Sequence, residues 1–327
     1  MLRHANTSIS NHENRDSTVI LEQKLPRAFR IASPDAERRN GHVQNFYKEA
    51  VQRRIKHKNL LIAAVSEFCG TFLFLLFAEA IATTVSNRAD QLKAQAPSSV
   101  PDLQGLLFSS LGFGFSLCIS VWIFFRISGG VQNPAITLAL TLAGAMDISK
   151  CICLTLAQFA GGITASALVA CLLPGTVNAR TTLGEGVNVA QGFWIEFFLT
   201  TNLIFTVLML AAEKHRGTFL APVGIGLALF ITQLFGQPYT GASCNPARSL
   251  GPDVVTGKFN DYTWIYYVAP YCAAVFVWAF YYLLKWLRYE TAAEGQDDDG
   301  HGVEAKIQVV KDAYGNVIGA LEFISKA

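Results

Sequence analysis

Apolar positions gather into six long runs, at about 60–86, 105–125, 149–173, 191–212, 219–237 and 262–287, joined by shorter polar stretches. A helix crosses a hydrocarbon core with roughly 20 residues, so each run is long enough to span a bilayer. Six in succession fit a multi-pass integral membrane protein better than the buried core helices of a soluble one. Basic connections resist translocation. Lys48, Arg53, Arg54, Lys56 and Lys58 precede the first run and Lys214 and Arg216 lie in the fourth connection, whereas the third, 174–190, carries Arg180 alone. The N-terminus is therefore expected in the cytoplasm, and an even number of spans returns the C-terminus there. The plasma membrane is the expected residence.

The chain also repeats itself. Glu67-Phe68-x-x-Thr71 in the first run recurs as Glu196-Phe197-x-x-Thr200 in the fourth. Gly112-Phe113-Gly114 recurs as Gly224-Ile225-Gly226, each opening 21 residues before an Asn-Pro-Ala triplet, Asn133-Pro134-Ala135 and Asn245-Pro246-Ala247. Three spans per repeat is an odd number, so the second half, 191–287, must be inverted relative to the first, 60–173. The connecting loop 174–190 lies between them, on the extracellular side.

Asparagine followed by proline is a helix-start signal: the amide caps free N–H groups, and proline at the first helical position needs no donor. Apolar residues follow each triplet, Ile136–Ala145 and Leu250–Val255, which predicts two short half-helices. Backbone at mid-membrane must be covered by protein or line a water-filled path. Two half-helices entering from opposite faces would point two positive ends at the bilayer centre, which repels cations and suits a neutral solute. The Asn133 and Asn245 amides would then face the path and orient passing water, interrupting the hydrogen-bonded chain that carries protons.

Charge sharpens this picture. Residues 1–59 hold 12 Lys/Arg against 6 Asp/Glu, and residues 288–327 hold 4 against 8, so the spans are poor in charge. The basic residues form no folded patch for nucleic acid. The seven cysteines lack paired metal-ligand spacing, and no run contains a histidine, so no metal, cofactor or catalytic residue is expected and the chain is not read as an enzyme. The N-terminal arm 1–59 is expected to be largely disordered and, through Phe46 and Tyr47, a candidate gate under the cytoplasmic mouth. Asp297-Asp298-Asp299 in the cytoplasmic tail 288–327 reads as a solvated acidic run, and residues 305–325 alternate enough to form a local element.

Gly129-Gly130-x-x-Asn133-Pro134-Ala135, Tyr239-Thr240-Gly241-x-x-x-Asn245-Pro246-Ala247-Arg248-Ser249 and the repeated Glu-Phe-x-x-Thr resemble the aquaporins, or major intrinsic proteins, over about residues 60–287. The resemblance implies an all-α fold: a right-handed bundle of six transmembrane helices, two re-entrant half-helices in an inverted repeat, a pore in each subunit, and a homotetramer. It places the pore centre at the two triplets and a selectivity constriction at Phe113, Gln233, Ala242 and Arg248. It makes Glu67 and Glu196 structural carboxylates that hold the re-entrant loops. Gln233 and Ala242 depart from the His and Cys common in water-selective members, which implies a somewhat wider, still polar constriction. Ser249 after the arginine and the pair Tyr266-Tyr267 resemble the water branch rather than the glycerol branch.

Three residues fall outside that scheme. Asp253 stands where a small residue is common, and reads either as a cap for nearby amides or as part of the outer vestibule. Glu79, near the outer end of the first run, reads as a snorkelling side chain. Cys244 reads as reachable from the pore or as facing protein. The expected function is a passive channel conducting water in single file while excluding protons and ions, within a lipid bilayer. The alternatives are a facilitator of hydrogen peroxide or another small neutral solute, and a secondary transporter built on an inverted repeat.

Overall fold

The computed structural model describes the backbone of residues 34–95, 102–292, 305–311 and 317–324, and the side chains of 48–292 apart from 93, 95–101 and 216. The chain divides into two units, one ending at Lys58 and one beginning at Asn59. Helix α1 is Pro34–Gln95. From Pro34 the arm is helical; residues 1–33 and Asp297-Asp298-Asp299 lie outside the described residues, as do the side chains of Phe46 and Tyr47 and with them any gate they form.

Among the described residues, six helices are long and apolar enough to cross a membrane. After α1 come α2 (Leu103–Phe124), α3 (Pro134–Leu142), α4 (Ile148–Leu172), α5 (Val189–Val207), α6 (Ala221–Thr240), α7 (Pro246–Thr256) and α8 (Ile265–Trp286). Helix α5 continues into a wider π-helical turn, Leu208–Ala212, and a 3-10 turn, Arg216–Leu220, leads into α6. Helices α3 and α7, of 9 and 11 residues, are too short to cross a bilayer. Strands Ala305–Lys311 and Val317–Ile324 pair antiparallel, which accounts for the alternation noted there.

Packing follows the inverted repeat. The full helix α4 packs on the half-helix α7, and its counterpart α8 packs on α3. Each half therefore holds the re-entrant segment of the other. Helices α2 and α6, the middle spans of the two halves, cross each other. At that crossing a Cβ on Gly114 would lie 2.9 Å from the Gly226 carbonyl, and one on Gly226 would lie 2.7 Å from the Gly114 carbonyl. Lipid supplies no hydrophobic drive between helices, so close backbone approach over small residues carries the contact. Large apolar side chains such as Phe77, Phe115, Trp122, Ile152, Phe198 and Phe235 point outward and exposed, as a lipid-facing surface requires.

Gly226→Val is expected to destabilise the detergent-solubilised protein by about 1–3 kcal/mol through overpacking, read as a lowered thermal midpoint. Phe235→Leu on the exposed face should leave the midpoint near that of the parent.

Candidate functional site

Each re-entrant segment enters as extended, strained backbone before its half-helix begins. In the first, Gly129, Gly130 and Gln132 have positive φ; in the second, Gly241, Ala242 and Cys244 do. Counted back from the two asparagines these are the same three places in both segments. A non-glycine residue there costs on the order of 1–3 kcal/mol, and three of the six, Gln132, Ala242 and Cys244, are not glycine. Something must hold them.

The carboxylates do so. Glu67 accepts from the backbone N–H groups of Val131 (3.0 Å) and Gln132 (2.6 Å), from the Ser128 hydroxyl (2.6 Å) and from Gln158 Nε2 (2.8 Å). Glu196 accepts from the backbone N–H groups of Ser243 (2.9 Å) and Cys244 (3.0 Å) and from the Thr240 hydroxyl (2.6 Å). Both side chains are fully buried. A buried carboxylate is tolerated only when its oxygens are satisfied, and here the donors are backbone groups that would otherwise be orphaned. Gln158 and Ser128 escape notice in the sequence, and Thr240 enters it only as part of the motif before the second triplet; a lone amide in an apolar span is the available signal for Gln158. Tyr266 adds a further tie by donating to the Thr240 carbonyl at 2.9 Å.

The half-helices start where the triplets place them. Asn133 caps α3 by accepting from Ala135 N–H at 2.9 Å, Asn245 caps α7 by accepting from Ala247 N–H at 2.9 Å, and Pro134 and Pro246 occupy the first helical positions. Ala135 and Ala247 are completely buried. The asparagines then exchange bonds across the approximate dyad: Asn133 Nδ2 donates to the Cys244 carbonyl at 2.7 Å, and Asn245 Nδ2 to the Gln132 carbonyl at 2.9 Å. An amide carries two N–H groups, so one on each asparagine is committed to the opposite loop.

Both asparagines border a cavity of about 290 Å³. Phe113, Gln233 and Arg248 line it toward the end of the unit where connection 174–190 lies, and Phe125, Met146, Lys150 and Lys214 line it toward the other; Leu117, Ile136 and Leu203 contribute to the walls. Arg248 donates to the Ala179 carbonyl, and its guanidinium carbon lies 4.9 Å from the centre of the Phe113 ring. Gln233 Nε2 donates to the Ala242 carbonyl at 2.7 Å, and its oxygen accepts from Gln237 Nε2 at 3.0 Å, which also reaches the Ser109 hydroxyl at 3.0 Å. Ala242 is fully buried and meets Gln233 through its carbonyl; its side chain is not among those lining the cavity. Lys214 Nζ stands 5.7 Å above the Phe125 ring at the opposite mouth.

Two expectations change, and one open alternative is decided. Glu79 does not snorkel: it is 0% exposed and accepts from the Ser166 hydroxyl at 2.6 Å. Its helix turns it inward toward α4, where a polar partner replaces water. Asp253 neither caps amides nor opens onto a vestibule, since it is buried and paired with Arg180, Nε to Oδ1 at 2.7 Å. The Cys244 thiol faces protein: the residue has positive φ, is fully buried and is not among those lining the cavity.

If Glu196 holds the loop, Glu196→Ala should strand two buried N–H groups and lower stability by roughly 3–5 kcal/mol, read as loss of folded protein and thermal midpoint. Glu196→Gln should lose less. A proton relay would give the opposite signature, with intact stability and altered proton flux.

The family model for the major intrinsic proteins matches residues 54–282. The chain is 48% identical over 261 residues to Aquaporin-7 of Botryotinia fuckeliana, covering 78% of this chain and 57% of that protein. It is 44% identical over 250 residues to Aquaporin-1 of Gibberella zeae, covering 76% of each. The chain spans about half the length of several relatives it matches. Among solved structures, the aquaglyceroporin from Plasmodium falciparum superposes with a TM-score of 0.57 at 20% identity, over 68% of this chain and 95% of that one, a likeness of fold. Six spans, two inverted half-helices capped by Asn-Pro-Ala and a family match over most of the chain have one reading: the chain belongs to the major intrinsic protein family, the channel family of the aquaporins.

Proposed function

We propose that this channel conducts water in single file and excludes protons and ions. The observation that carries the reading is the pair of asparagines at the ends of two opposed half-helices in one cavity, each with one N–H tied to the opposite loop and one left over. The tie fixes the direction of the remaining donor, and donors fixed in advance lose no orientational freedom when a solute arrives. Two such donors on one wall bind the oxygen of a passing water and turn its hydrogens away from each other along the path. Helix starts at the same place add partial positive charge. Both effects oppose a proton hopping through.

Arg248 supports the exclusion of cations. Held against Phe113 and the Ala179 carbonyl, it narrows the cavity from one side and places a full positive charge beside it. Water, which both donates and accepts, can exchange its bulk partners for such fixed ones. Leu117, Ile136 and Leu203 offer the passing molecule nothing to bind, which favours rapid transit.

Hydrogen peroxide is a second proposed permeant. Gln233 has its amide engaged by the Ala242 carbonyl and by Gln237, so this side of the constriction is polar without being charged. A homotetramer in the plasma membrane with cytoplasmic termini completes the reading; the outward apolar side chains of the second unit and the basic residues flanking the first span support it.

Purified protein in liposomes should accelerate shrinkage under an osmotic step, followed by stopped-flow light scattering, at least about tenfold over protein-free vesicles and without matching glycerol entry. Arg248→Ala should keep water flow within about threefold and admit glycerol or cations. Shrinkage at the lipid rate, with peroxide entry raised, would make peroxide the solute instead.

A further inference from the structure

Connection 174–190 is fastened to half-helix α7 by three consecutive residues. The Ala179 carbonyl accepts from Arg248, the Arg180 side chain pairs with Asp253 at 2.7 Å, and the Thr181 hydroxyl donates to Ser249 at 2.9 Å. Arg180 also donates through Nη2 to the Lys258 carbonyl at 2.9 Å, just past the end of α7. Arg248 and Asp253 belong to the same half-helix, and Ala179 and Arg180 are adjacent. The four residues therefore close a ring: along α7 from Arg248 to Asp253, across to Arg180, back one residue to the Ala179 carbonyl, and across again to Arg248.

We infer that Arg180 and Asp253 are positioning residues for Arg248 and set the solute cutoff of the constriction. An arginine on a flexible stem is directed by what its guanidinium binds, and here that partner is a loop carbonyl. A carbonyl in a long connection would drift; the ion pair one residue away fixes it to the helix that carries Arg248. Asp253 has 1% of its side chain exposed and Arg180 16%, so water screens the pair little compared with a surface bridge. This deepens the channel reading and rests on it: a residue in an extracellular connection, outside the cavity, sets how far Arg248 can swing from the Phe113 ring. The same two positions in the first half-helix are Ile136 and Thr141, so the ring exists only on the outer side.

The test uses full-length protein in liposomes with Arg180→Gln, Asp253→Asn and the double variant, each quantified as folded protein. Removing one partner strands a buried charge or an unpaired cation, so the single variants are expected to melt lower, and the double variant to recover much of the loss. Selectivity should not recover. In all three the ratio of glycerol to water permeability is expected to rise about two- to thirtyfold, the range for residues that couple indirectly to a site. A double variant with restored melting and parental selectivity would assign the pair a structural role only and overturn the inference. Wild-type vesicles report on the channel reading separately, through water flow above the lipid background. Should that flow be missing, solid-state NMR of the Arg248 side chain in the same samples still decides: larger amplitude of motion in the variants supports the ring, and an unchanged amplitude sinks it.

Discussion

Two buried carboxylates hold the pore region together. Each re-entrant segment needs backbone at mid-membrane depth that is neither helix nor sheet, with non-glycine residues at positive φ. Such a segment has orphan N–H groups and local strain, and hydrocarbon satisfies neither. Glu67 and Glu196 take the two N–H groups ahead of each asparagine and a hydroxyl five residues ahead of it, Ser128 in one half and Thr240 in the other. Unpaired, either carboxylate would be intolerable in an apolar bundle. Matched to these donors, it turns the loop inside out: N–H groups face the protein, and the carbonyls of Gln132 and Cys244 face the opposite half.

Those carbonyls explain why the two halves cannot work separately. Each accepts from the asparagine of the other half, so the geometry of one cap depends on the backbone of the opposite loop. The packing repeats the dependence at larger scale, with α4 against α7 and α8 against α3. A cavity bordered by both asparagines is the result. Its donors are set before any solute enters, by bonds several steps removed from the solute.

Much of this was legible in the chain. Six apolar runs, the doubled Glu-Phe-x-x-Thr and the doubled triplet are periodic or repeated signals, and helix starts at Asn-Pro are local chemistry. What was hidden depends on distant partners. Glu79 looks like a snorkelling carboxylate until Ser166, 87 residues away, lies against it. Asp253 and Arg180 are separated by 73 residues, and nothing local to either announces the other. Cys244 was ambiguous because its orientation follows from a left-handed φ that residue type does not favour. Ala242 shows the same limit: the family resemblance put it at the constriction, and there the backbone turn offers its carbonyl to Gln233.

The inverted repeat builds the asparagine pair, and departures from it make the two ends of the cavity different. At the asparagines the two halves match in the cap and in the bond each sends across to the opposite loop. Three residues further on they part: Ile136 follows the first asparagine and Arg248 the second, and both border the cavity. An apolar side chain at one level and a cation at its inverted mate make the path electrostatically one-ended, with the charge toward connection 174–190. Holding that charge needs structure that the repeat does not supply, because nothing in the first half has to direct a guanidinium. The connection between the halves, which has no counterpart within either, provides it through the Ala179 carbonyl. The least repetitive segment of the second unit thus holds the Arg248 guanidinium, while the asparagine pair is held by bonds between the repeats.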